Sequence, residues 1–119
     1  MTGTKTKDVV VAEKIDPRYV PVVEAFAKNR HVSREHRKGF GSGSLKVNGR
    51  IFAMMSSKRQ FVVKLPKNRV DELVNQGKGQ RFDPGHGRIM KEWFVAGKGE
   101  TNWVDLAKEA YHFVTQGTP

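Results

Sequence analysis

The most informative local cluster of chemistry-bearing residues is Asp83-Pro84-Gly85-His86-Gly87-Arg88, followed by Lys91, Glu92 and Trp93. Arg88 and Lys91 carry charge suited to phosphate oxygens, Gly85 and Gly87 allow close backbone approach, and an exposed Trp93 would offer a face for a base. A tight turn with Trp93 in the interior and Glu92 neutralising a cation fits the same residues. The usual burial of tryptophan favours that second reading.

Catalytic chemistry finds little support elsewhere. His31 and His36 stand five residues apart, and neither they nor His86 and His112 are accompanied by an ordered set of carboxylates, so no metal signature forms. The absence of cysteine excludes thiolate nucleophiles, disulfide frameworks and cysteine zinc sites. Glu35 beside His36, or Asp83 near His86, supplies an acid and a base without an identifiable nucleophile. Phe40-Gly41-Ser42-Gly43 has the composition of a phosphate-cradling loop, but a strand follows it where such a loop needs a helix, so the glycines read as a bend entering a sheet. The sequence predicts a non-enzymatic protein with no metal and no cofactor.

Charge is the larger signal. The 119 residues carry 22 Lys and Arg against 12 Asp and Glu, a net charge of +10. The first 27 residues are balanced, whereas residues 28–38 hold five basic residues and one acidic one. A field of this sign attracts polyanions, and the attraction weakens steeply with salt. Arg34, Arg37 and Lys38 from the dense segment, Lys58 and Arg59 from a turn, and Arg88 with Lys91 are therefore the candidate contacts to phosphates of DNA or RNA. Lysines that protect strand edges give the same composition, and a basic surface that only maintains solubility weighs equally.

The elements that must position these residues follow from periodicity. Residues 1–14 are polar and aperiodic, an expected flexible arm, with Val9 to Val11 available as an edge strand. The remaining residues, 15–119, suit a single domain. Asp16 and Pro17 start a helix in which Tyr19, Val22, Val23 and Phe26 share one face, running to about Arg30. His31 to Lys38 reads as a helix end or loop. Asn48-Gly49 marks a two-residue hairpin with Leu45 opposite Phe52, and a second tight turn at Ser57-Lys58 would place Met54 opposite Phe61 and Phe52 opposite Val63. Asn68 caps a second helix ending before Gly77, strands follow near Gln80 to Phe82 and Trp93 to Val95, and Trp103, Leu106, Ala107, Ala110, Phe113 and Val114 form the stripe of a last helix capped by Thr101 or Asn102. The fold class is α+β: helix, three-stranded antiparallel meander, helix, two strands, helix.

The segments NGRIFAMMS, VVKLP, RVDELV and GRIMKEW, followed by the amphipathic last helix, resemble the superfamily of TfoX amino-terminal domains and YjbR or MmcQ proteins over about residues 39–115. The resemblance implies a secretion-chaperone-like order of elements and a loose association with DNA. It carries no catalytic motif, and a second TfoX domain is missing from the sequence, so the competence role of TfoX proteins does not transfer.

The assumed pairing leaves Ile51, Ala53, Met55 and Val62 on an outer sheet face. These make an alternative interaction surface for a protein partner or homodimer. The only apolar block near the amino terminus, Val9 to Ala12, is too short for a signal peptide or a bilayer span, so a soluble, cytoplasmic protein without membrane association is expected.

Overall fold

Asn48 and Gly49 adopt φ of 54° and 77°, the left-handed pair that a two-residue hairpin loop demands. In the computed structural model, which describes residues 16–35, 43–56, 58–83, 89–98 and 102–116, this hairpin lies within an α+β domain. The element order is α1 (Val20–Ala25), β1 (Val32–Glu35), β2 (Ser44–Val47), β3 (Arg50–Met55), β4 (Phe61–Lys64), α2 (Lys67–Asn75), β5 (Gly79–Phe82), β6 (Met90–Ala96) and α3 (Trp103–Gln116). The strands form one antiparallel sheet in the order β1-β2-β3-β4-β6-β5.

Among the described residues the sheet has six strands where the sequence predicts five, because part of the basic segment His31 to Lys38 is strand. Asn29 ends the preceding turn, its side-chain oxygen accepting the His31 N–H at 2.9 Å and its carbonyl accepting the Val32 N–H at 3.2 Å. α1 stops at Ala25 rather than near Arg30, because the bonds beyond it tighten to three-residue turns, Phe26 N–H to Val23, Ala27 N–H to Glu24 and Asn29 N–H to Phe26. Val32 then pairs with Val47 and extends the sheet by an edge strand.

The register of the meander also departs from expectation. Lys46 pairs with Ile51 but Leu45 pairs with Ala53, leaving Phe52 as an extra residue in β3. A bulge of this kind lets two consecutive side chains turn to one face, and Phe52 and Ala53 are both fully buried. Phe52 meets Phe26 at 5.1 Å and Tyr111 at 5.6 Å, edge to face. The next connection is longer than a two-residue turn: Ser56 N–H bonds to the Gln60 carbonyl at 2.8 Å, and Ala53 and Met55 pair with Val63 and Phe61. Met55 therefore enters the core and Met54 leaves it.

One row of neighbours crosses the whole sheet on the helix-covered face: Arg34, Leu45, Ala53, Val63, Phe94 and Arg81. Tyr19 and Val22 of the α1 region, Leu73 of α2 and Ala110 of α3 join the same core cluster. Burying large apolar side chains of this kind stabilises by about 1.5–3 kcal/mol each before entropy is counted. The adjacent row, on the opposite face, is Glu35, Ser44, Met54, Val62, Val95 and Gln80.

Two helix ends set up the region of interest. α2 begins with Pro66 as its cap residue and no side-chain cap bond, so Asn68 is inside the helix and not its cap. It closes with Gly77 N–H on the Val74 carbonyl and Lys78 N–H on the Leu73 carbonyl, both at 3.0 Å, a bond pair that satisfies two terminal carbonyls. Asn102 caps α3, its side-chain oxygen accepting the Asp105 N–H at 3.1 Å. Among the described residues no helix is long and apolar enough to cross a membrane.

Candidate nucleic-acid interface

The β3–β4 connection, the α2–β5 turn, the end of β6 and the start of α3 converge on one cleft of about 890 Å³. Arg18, Lys58, Arg59, Lys78 and Lys98 line it, with no carboxylate among the described lining residues. A second concavity of about 410 Å³ adjoins it beside Asn102 and Val104 and shares Arg18, Lys98 and Trp103. Gly79 lets the wall close: a Cβ there would collide with the Val95 carbonyl oxygen and the Phe94 ring.

Asp16 organises the cationic side. Its carboxylate is almost wholly buried and accepts Arg18 Nε at 3.1 Å and Arg18 Nη2 at 2.9 Å, with Arg59 Nη2 3.7 Å away. The Arg18 hydrogen bonds hold the Asp16 carboxyl below the usual carboxylate range despite the opposing effect of burial. Arg59 itself sits at φ 64°, and its carbonyl accepts Arg18 Nη2 at 3.2 Å. Non-glycine residues seldom adopt this left-handed conformation, which here accompanies a guanidinium turned toward Asp16.

Arg18 is also tied to an aromatic stack. Phe61 and Trp103 lie face to face with centroids 4.5 Å apart and planes 10° from parallel, and the Arg18 guanidinium carbon is 5.0 Å from the indole centroid. The charge on Arg18 is thus fixed by one carboxylate and one ring.

Many cations outside the cleft have carboxylate partners. Lys46 pairs with Glu35 at 3.0 Å, Lys67 and Arg81 with Asp71 at 3.1 and 2.6 Å, and Arg69 with Glu72 and Glu109 at 2.7 and 3.1 Å. In the cleft, Arg18 and Arg59 pair with the Asp16 carboxylate, and Lys58, Lys78 and Lys98 line the same concave surface, where charges of one sign focus the field.

Of the sequence-predicted phosphate contacts, Lys58 and Arg59 lie in this cleft. Arg34 is half-buried at the end of the helix-covered row, near Tyr19, whose phenol burial pushes up while the Arg34 charge opposes. Lys91 is exposed on β6 and does not line the cleft. Arg37, Lys38 and Arg88 lie outside the described residues, as do the arm, Phe40-Gly41-Ser42, His36, His86 and Thr101.

The expected interaction surface does not form as a face. The bulge puts Ala53 and Met55 into the core, and Val62 is fully buried although it lies on the other face. Only Ile51 of the four stays half-exposed. Trp93 is likewise half-buried, with Lys64 Nζ 5.2 Å from its ring centroid and 3.6 Å from Glu92.

Sequence reasoning missed Arg18, Lys78 and Lys98 as members of the site, and it read Trp103 only as part of a helical stripe. No family model matches the chain, and neither a curated protein nor a solved structure does.

Proposed function

We propose that the protein is a non-enzymatic binding domain that holds the phosphates of nucleic acid in the cleft lined by Arg18, Lys58, Arg59, Lys78 and Lys98. The observation that carries this reading is that five cations line one concave surface, two of them, Arg18 and Arg59, paired with the carboxylate of Asp16. Guanidinium and ammonium groups make charge-assisted hydrogen bonds to phosphate oxygens, and release of counterions supplies most of the affinity. The net charge of +10 adds a long-range field of the same sign. Membership of the TfoX/YjbR-like superfamily, on the resemblance of residues 39–115, belongs to the same proposal.

The test is fluorescence anisotropy of a labelled oligonucleotide titrated with protein across a range of salt. Binding whose logarithmic affinity falls linearly with logarithmic salt is the expected result. Undetectable binding at low salt would contradict the proposal and leave the charge as a solubility feature.

A further inference from the structure

We infer that Arg18 is a stacking platform for one unpaired base, so that the cleft takes single-stranded nucleic acid with phosphates in the two concavities on either side. This rests on the phosphate-binding reading and adds a ligand class to it. Phe61 and Trp103 are stacked, 4.5 Å between ring centroids, and the Arg18 guanidinium carbon lies over the indole, 5.0 Å from its centroid. Asp16 grips two nitrogens of the same guanidinium, at 3.1 and 2.9 Å. A planar cation restrained at its edge and supported by a ring loses little freedom when a base covers it. The Arg18 side chain is nevertheless 56% exposed, which leaves room for that base.

The surroundings complete the geometry. Arg18, Lys98 and Trp103 belong to both concavities, so the platform stands between the basin holding Lys58, Arg59 and Lys78 and the basin at the start of α3. Successive phosphates flank each base in a single strand, whereas a duplex keeps its base faces stacked on one another. Unpaired bases stack on aromatic rings and on arginine planes, and the contact tolerates any base because each has a π-face.

The deciding experiment compares a single-stranded oligonucleotide with one of equal length whose sugars lack bases, so that phosphate number is constant. The base-bearing strand is expected to bind at least about fivefold tighter. In Arg18→Lys, which keeps the charge but removes the plane, the ratio of the two affinities is expected to fall to about one, whatever the change in binding of the abasic strand. Equal binding of the two strands to the unaltered protein would overturn the stacking role and leave phosphate binding intact. Failure of both strands to bind at low salt would overturn both proposals.

Discussion

Asp16 and Arg18, two residues apart in the chain, form a two-point pair in which Nε meets Oδ1 at 3.1 Å and Nη2 meets Oδ2 at 2.9 Å. The pair links folding to the cleft, since the carboxylate that closes the turn before α1 also fixes two cations of the site. Asp16→Asn is expected to cost about 1–2 kcal/mol at neutral pH, the lower part of the range for charged hydrogen bonds because Arg18 is partly solvated. The folded state holds this carboxyl below its unfolded value, so its stabilisation is complete above that unfolded value and fades as pH falls through the folded one. Urea unfolding of both proteins should therefore show a stability gap at pH 7 that narrows in acid.

Arg59 provides a separation of strain from charge. Its φ of 64° costs on the order of 1 kcal/mol for a residue with a Cβ, and glycine would remove that cost. Arg59→Gly should be more stable than Arg59→Ala by up to about 1 kcal/mol, measured by denaturant midpoints. Both variants remove the same charge and should weaken oligonucleotide binding to a similar degree.

The bulge in β3 makes neighbouring methionines unequal. Met55→Ala is expected to destabilise by about 2–4 kcal/mol and Met54→Ala by about 1 kcal/mol, because only Met55 lies in the core. Thermal denaturation of the two variants checks the register, and equal losses of stability would contradict it.

Gly79→Ala should destabilise by about 1–3 kcal/mol through overpacking, since the added methyl meets the Val95 carbonyl and the Phe94 ring. The same substitution displaces the cleft wall, so oligonucleotide affinity should fall with stability.

Much of the scaffold is legible in the sequence because local rules decide it. Asn48-Gly49 specifies its turn through backbone conformation, and the stripe from Trp103 to Val114 specifies α3 through period. The strand from Val32 to Glu35 is not legible in this way, since four residues of mixed polarity become a strand only by pairing with β2. Phe52 shows the same limit: a bulge is invisible to alternation, and one extra residue puts Met55 in the core where alternation expects Met54. The cleft is half legible. Lys58 and Arg59 stand in a basic turn, but Arg18, Lys78 and Lys98 come from three other places in the chain and meet only through the end of the sheet. Trp103 carries a helix signal and also lines the cleft, and periodicity reports only the first.

Matched charge reversals test phosphate binding in the cleft most directly. Lys58→Glu with Lys98→Glu changes two cleft cations, and Lys28→Glu with Lys91→Glu changes net charge equally at exposed positions that do not line the cleft. Oligonucleotide affinity measured across salt should fall sharply in the first variant, with a salt slope shallower by about one unit for each phosphate that is no longer neutralised, and only slightly in the second. Equal weakening in the two variants would contradict a localised site and mean that only the overall field attracts the ligand.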